Sequence, residues 1–320
     1  MKKFLLASAA FGLMMGLNSC KLENDDSSNY QSIPYNAINL VIPQNGTPMA
    51  APDNYTLVYY PYSASMSVSS KALSLGVGTS PFTTSQMPYT VAAFTDRYGQ
   101  GYYEVTKFSG ASGNFNGTAI SNLSGYTSQL VNLLPSTVPN FPAYPYIARA
   151  ALVMHYTANT DYDVYTFAQD AVYYGNTTVV SLSEEDLPFV NDETLYRVVF
   201  HNDLKQADIL FCNAKFNEMM PSNRINFLVK NLDVTFTKTG YTITMPKDIQ
   251  EIIPDYYEGG QFTPYPMYRF TTFNFATGIG SNLTEAQINF NLNAMGGDQI
   301  RARYNCTFSG SYVTSGRDSE

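Results

Sequence analysis

The sequence predicts an all-β protein of two tandem, duplicated antiparallel domains, and three observations predict it. Short runs rich in aromatic and β-branched residues recur between turn residues, the composition of strands joined by tight connections. One segment, Gln287–Asn293, alternates strictly, with Ile288, Phe290 and Leu292 set against polar neighbours. And landmarks of the first half recur in the second half, largely in the same order.

Taken along the chain, the strand-like runs are Tyr55–Tyr60, Ala150–Tyr156, Leu195–Phe200 and Asn231–Phe236. Lys238-Thr239-Gly240-Tyr241 and Gly296-Gly297-Asp298 are their clearest turns. The period of two in Gln287–Asn293 marks a half-buried antiparallel strand. Helical spacing is confined to Gln129–Leu134 and Asp248–Ile253, a turn or two each, halted by Pro135 and Pro254.

These two short segments also carry the repeat. Leu130, Leu133, Leu134 and Pro135, followed by Phe141, Tyr144 and Pro145, are matched by Ile249, Ile252, Ile253 and Pro254, followed by Phe262, Tyr265 and Pro266. Tyr55–Tyr59 stands opposite Tyr196–Phe200, Gly101-Tyr102 opposite Gly240-Tyr241, and Asn176–Val179 opposite Asn305–Phe308. The mismatch in spacing falls at the Gly/Ser/Asn-rich stretch Phe108–Gly117, which reads as an exposed loop. The expected organisation is a leader over 1–19, an acidic tether over 20–32, and β-domains over 33–182 and 183–316. The acidic, proline-closed segment Ser183–Pro188, within the stretch Ser181–Asp192, is the expected joint. Alternation alone fits a sandwich and a lipocalin-like barrel equally, so both stay open.

The first residues say where the chain works. Lys2 and Lys3 precede an apolar run from Phe4 to Leu17, which is 14 residues, too short for a hydrocarbon core that takes about 20. Leu17-Asn18-Ser19-Cys20 follows, with Glu23, Asp25 and Asp26 behind it. This ending resembles the lipobox of bacterial lipoproteins, although Asn18 replaces the commoner Ala or Ser. The acidic tract resembles that of Bacteroidetes outer-membrane and surface lipoproteins. The resemblance implies that Cys20 is acylated and becomes the N-terminus, with the body attached to the outer membrane and either displayed outside or facing the periplasm. It covers the first 26 residues, and no functional residue of the body can be carried over from it.

Composition narrows the partners. Of 18 basic residues two lie in the leader, leaving 16 against 26 acidic ones, a mature balance of −10. That excludes nucleic acid and an electrostatic hold on anionic lipid as general modes of binding. The chain has 26 Tyr, 20 Phe and no Trp, so its rings serve strand packing and amphipathic surface, without the usual stacking platform for sugars.

Two cysteines remain, Cys212 and Cys306, both in the second half. In an exported chain they are candidates for a disulfide, the alternative being two separate buried thiols. The histidines His155 and His201 sit at a strand end and a turn, without a local metal motif. Neighbouring acids, Asp161 with Asp163, Glu184 with Glu185, and Asp255 with Glu258, are the pairs that glycoside hydrolysis would draw on. None of them sits in a motif, so no catalytic, cofactor-binding or metal-binding residue is assigned.

The expected role is therefore a lipid-anchored, non-enzymatic binding protein for an extracellular glycan, peptide, small apolar molecule or protein. The first alternative is an adhesive subunit similar to the fimbrillin-like pilins. Those depend on an arginine-directed cut near the N-terminus, whereas the first arginine here is Arg97. A glycosidase using paired carboxylates is the second alternative.

Overall fold

The computed structural model describes residues 30–74, 79–95, 102–115, 118–131, 151–158, 161–182, 188–216, 225–258, 261–278 and 285–312. Its strands form two separate sheets, and each closes on itself. The first contains β1 (Gln31–Pro43), β2 (Met49–Tyr60), β3 (Ser65–Ser74), β4 (Thr79–Thr84), β5 (Met87–Thr95), β6 (Tyr102–Phe115), β7 (Thr118–Val131), β8 (Ala151–Ala158) and β9 (Tyr162–Ala168). Neighbours in sequence are neighbours in space, and β9 returns to pair with β1. The segments β4 and β5 run on from one another and share one place in the ring: β4 pairs chiefly with β3, and β5 with β6. Counted so, the ring has eight antiparallel strands.

The second sheet repeats that plan with β10 (Asp170–Ser181), β11 (Phe189–Phe200), β12 (Gln206–Ala214), β13 (Ile225–Thr237), β14 (Gly240–Thr244), β17 (Tyr268–Gly278), β18 (Glu285–Gly296) and β19 (Gln299–Tyr312), closed by β10 against β19. A small hairpin, β15 (Asp255–Glu258) and β16 (Gln261–Pro264), hangs from the start of β13. The barrel alternative is thus the one realised. Closure removes the unpaired edges that an open sheet would leave.

Alternation predicts the inside of each barrel. On β18, Ile288, Phe290 and Leu292 are buried while Gln287 and Asn289 are exposed. This apolar-in, polar-out arrangement is the reverse of a membrane-spanning barrel. The two expected turns, Lys238-Thr239 and Gly297-Asp298, are two-residue hairpin turns, with positive φ at Gly240 and Gly297. The expected helical turns are not helices: Gln129–Val131 belongs to β7, and Lys247-Asp248 makes an isolated turn. Among the described residues the 3₁₀ turn Pro61–Ser63 is the sole helical element. The glycine-rich stretch from Phe108 is strand as well. Residues Phe108–Phe115 continue β6 through irregularities between Ser109 and Gly113, with φ +95° at Gly110. Glycine supplies the conformations a bulge needs, which a loop reading of the same composition misses.

The break between the sheets lies at Gln169. Strand β10 pairs with β11 and β19, so Asp170–Ser181, expected at the end of the first domain, belongs to the second sheet. The expected joint Ser181–Asp192 thus begins at the end of β10 and ends within β11, two paired strands of one sheet. At the other end, β1 takes in Gln31 and Ser32 of the expected tether.

The repeat survives at the level of barrels, with two of its landmarks reassigned. Tyr35 faces Tyr55 across the first strand pair, as Tyr173 faces Tyr196. Tyr55 donates to Asn39 at 2.8 Å and Tyr196 shares a hydrogen bond with Thr177 at 2.9 Å, both reaching back from second strand to first. Tyr102 and Tyr241 both open fifth strands. Pro135, outside the described residues, follows a sixth strand, whereas Pro254 follows a fifth. Asn176–Val179 lies in the first strand of its barrel, and Asn305–Phe308 in the eighth.

The barrels join by wall against end. Strand β1 buries both faces: Tyr35, Ala37 and Val41 point into the first barrel, while Ile38 and Leu40 point out toward the second. Phe167 on β9 does the same, stacking on Tyr241 at 5.3 Å and tilting against Phe200 at 5.7 Å. Phe200 ends β11 and Tyr241 opens β14, so the wall of the first barrel stoppers one end of the second.

Candidate binding surface

Among the described residues, the inner faces of both barrels are packed with side chains. In the second barrel Tyr196 meets Phe211 at 4.8 Å and Phe308 at 4.4 Å, and Phe211 meets Phe290 and Phe270, each at 5.3 Å. These rings come from five different strands and touch across the axis, as expected where eight strands leave just enough room for side chains. Tyr173 and Tyr241 close the stoppered end by a hydroxyl contact of 2.6 Å. Burial drives the Tyr173 and Tyr196 phenols far above their ordinary range, so they stay neutral.

The first barrel contains a polar knot around Asn39. Its amide oxygen accepts from Tyr55 at 2.8 Å and Thr166 at 2.6 Å, and its nitrogen donates to Asp53 at 3.1 Å. Asp53 also accepts from Ser70 and from the Asn54 N–H, each at 2.7 Å. Tyr55 and Tyr156 hydroxyls lie 3.2 Å apart. The donors and acceptors satisfy one another, which makes this knot a fold determinant and leaves nothing aimed at a ligand.

The sequence candidates do not converge. His155 stacks on Tyr165 at 4.5 Å and contacts Asp163 at 3.4 Å on the outer wall, leaving Asp161 in the neighbouring turn. His201 pairs with Asp208 at 2.9 Å. Asp255 is engaged by Lys230, and the side chain of Glu258 lies outside the described residues. Glu184 and Glu185 lie outside the described residues, as do Cys20 and the tether up to Asn29. Among the described residues no three His, Cys, Asp or Glu side chains gather as a metal site.

The expected disulfide is not made. Cys306 is a free, buried thiol, and burial alone pushes its pKa far up, away from reactivity. The registers explain why. Cys306 is level with Val179 and, through it, with Phe189, whereas Cys212 is level with Leu195, six residues farther along β11. That is about 20 Å along the strands, before two intervening strands are crossed, against about 6 Å between bonded Cα atoms.

Among the described residues, what remains unpartnered is the end of the second barrel opposite the stopper. Leu182 follows β10 and donates its N–H to Arg303 at 2.7 Å, and Val190 opens β11. Ile300 opens β19, and the Met267 carbonyl accepts from Met295 at 2.8 Å just before β17. Ile249 and Ile253 flank the bridge between Ile252 and Phe270. All six side chains are exposed, and they make up the whole set of exposed large apolar residues described in the second barrel. Beneath them Phe216, Phe227, Tyr256, Tyr265 and Tyr268 form a ring layer, with Phe227 at 5.3 Å from Tyr268 and 5.9 Å from Tyr265. Burial raises Tyr268 to about 12. This layer makes the rim a firm surface. Sequence reading missed it because its residues are spread over four connections, and no periodic signal joins them.

No family model matches the chain, and no curated protein matches it. Among solved structures it is similar to a double mutant of transferrin binding protein B from Haemophilus parasuis, at 9% identity and a TM-score of 0.24, covering 89% of this chain and 76% of that one. It is similar also to intact Ap-TbpB with its N and C lobes, at 8% identity and a TM-score of 0.24, covering 89% of this chain and 78% of that one. TM-scores that low do not establish a common fold. Among the described residues, no helix is long and apolar enough to cross a membrane.

Proposed function

We propose that this chain is a non-enzymatic binding protein, tethered to the outer membrane by lipid on Cys20 and displayed at the surface, which engages a protein partner through the free end of its second barrel. The observation that carries the reading is the combination of two packed inner faces with one apolar rim. A small apolar ligand would need an open lumen, whereas ring contacts pack the described inner face of the second barrel and a polar knot that of the first. A glycan would need exposed flat rings and polar groups, whereas the rim presents aliphatic side chains. Aliphatic groups spread over several connections on a firm layer suit the desolvated centre of a protein interface. His155, His201 and Asp255, each engaged by a separate neighbour and not brought together, support a role without catalysis.

A photo-crosslinking residue placed at Met267 or Ile253 in the intact lipoprotein on cells tests this. One discrete adduct should form there and be lost with Leu182→Asp, while the same probe at Asn289 on the barrel wall forms none. Equal, diffuse adducts at rim and wall would overturn the assignment of the rim. Intact mass of the mature protein tests the anchor separately: acyl groups on Cys20 are expected, and an unmodified Cys20 would overturn that part alone.

A further inference from the structure

We propose that the end of the first barrel where the chain enters is a second, non-covalent membrane contact, with Tyr30, Tyr60 and Tyr62 resting at the headgroup level of the bilayer that holds the Cys20 lipid. This rests on the lipid-anchor reading above. Tyr30 immediately precedes β1, and Gln31 pairs beside Tyr59 at the end of β2. The rings of Tyr30 and Tyr60 lie 6.2 Å apart. The turn Pro61–Ser63 then thrusts Tyr62 outward to 89% exposure, while Tyr30 is 55% exposed. Ala64, at φ 46°, closes this turn with its N–H on Pro61 at 3.3 Å, so the projection belongs to the fold. Polar but neutral groups surround the rings. Ser63 and Ser65 share a 2.6 Å contact, and Ser65 donates to Gln86 at 3.2 Å. Residues 30–34, 59–66 and 85–90 include no charged side chain.

The length of chain outside the structure says what covers this end. Ten residue steps lead from Cys20 to Tyr30, and ten steps cannot reach beyond about 35 Å even fully extended. As a coil they span roughly 18 Å. Acylated Cys20 sits in the bilayer, so this end is held within about one small-domain diameter of it. Tyrosine, with an apolar ring and a polar tip, is the side chain that settles at a membrane interface. The patch around these rings, uncharged over residues 30–34, 59–66 and 85–90, gives up no ionic hydration on approach. Three acyl chains need no help in retention, so the contact sets orientation: it fixes the first barrel's entry end toward the lipid and with it the direction of the second barrel.

The test uses residues 20–320 carrying one acyl chain on Cys20, since a single chain binds membranes only marginally and leaves a second contact visible. Partition into phosphatidylcholine vesicles is compared with that of the Tyr30→Ser/Tyr62→Ser variant, and tyrosine modification is read peptide by peptide. The unaltered chain should partition several-fold more strongly, independently of salt. Tyr62 modification should slow several-fold on vesicles, while Tyr257 and Tyr304 in the second barrel keep their solution rates. Equal partition together with unchanged Tyr62 modification would overturn the proposal. Because the acyl chain is supplied, that outcome is distinct from a failure of Cys20 to be acylated in cells.

Discussion

Replacing Phe167 by alanine should loosen the second barrel although the residue belongs to the first. Its ring is 1% exposed and lies against Tyr241 and Phe200 at 5.3 and 5.7 Å. A buried phenylalanine removes about 150–250 Å² from water, worth about 4–6 kcal/mol at about 25 cal/mol per Å². Alanine keeps the Cβ, and the walls of two closed barrels cannot collapse into the void, so about 3–5 kcal/mol should be lost. Calorimetry and far-ultraviolet dichroism in a urea series are suitable, since the chain has no Trp to report. A melting temperature lower by roughly 10 °C is expected. The transition should also split, with the unstoppered second barrel unfolding first. Tyr62→Ala, at an 89% exposed position, is the control and should stay within about 0.5 kcal/mol. A loss under about 1 kcal/mol for Phe167→Ala, with one unsplit transition, would refute the stopper.

Three further outcomes follow from the interiors. Burial holds the Tyr59 phenol at about 12, against about 10 when unfolded, so the folded state keeps its proton longer. Stability from this group is whole below pH 10 and is withdrawn as pH rises toward 12, by about 2–3 kcal/mol; a urea series at stepped pH that stayed flat over this window would contradict it. Asn39→Leu strands Tyr55, Thr166 and Asp53 without their shared partner and should cost about 3–5 kcal/mol, with rim adducts at Met267 unchanged in the folded fraction. Cys306 should resist a maleimide in the native protein and react on unfolding; a non-reducing mass showing a Cys212–Cys306 bond would overturn the register assignment.

Strands were legible where one face meets water and the other a lumen. Ile288, Phe290 and Leu292 announce their strand because the barrel wall imposes a period of two. Strand β1 was harder. Ala37-Ile38-Asn39-Leu40-Val41-Ile42 reads as an apolar run interrupted at Asn39, without alternation, because its outer face is buried too, against the second barrel. The repeat was legible through Tyr55 and Tyr196, whose hydroxyls perform the same strand-to-strand bond. It misled at Pro135 and Pro254, since prolines mark any connection and carry no information on which strands they join. The disulfide failed for a related reason. Two cysteines in one domain say nothing of height on the barrel, and the six residues of β11 between Phe189 and Leu195 decide it.

The rim was illegible because its residues share an end of the barrel without sharing a period. An up-and-down barrel brings alternate connections to the same end, so residues as distant as Leu182 and Ile300 meet around one opening. The same topology explains why the two barrels are unequal in what they offer a partner. In the first, the outer wall of β1 and β9 is spent on the stopper, and the entry end is tied to the anchor. In the second, one end is already filled by Phe167, and the walls carry the neutral polar residues of the alternation. Among the described residues, the rim is the apolar surface of the second barrel that no neighbour covers. A duplicated fold has thus become asymmetric without changing its strand order: the copies differ in which face of the same barrel is covered, and Ile38, Leu40 and Phe167, pointing outward from one copy into the other, make that difference.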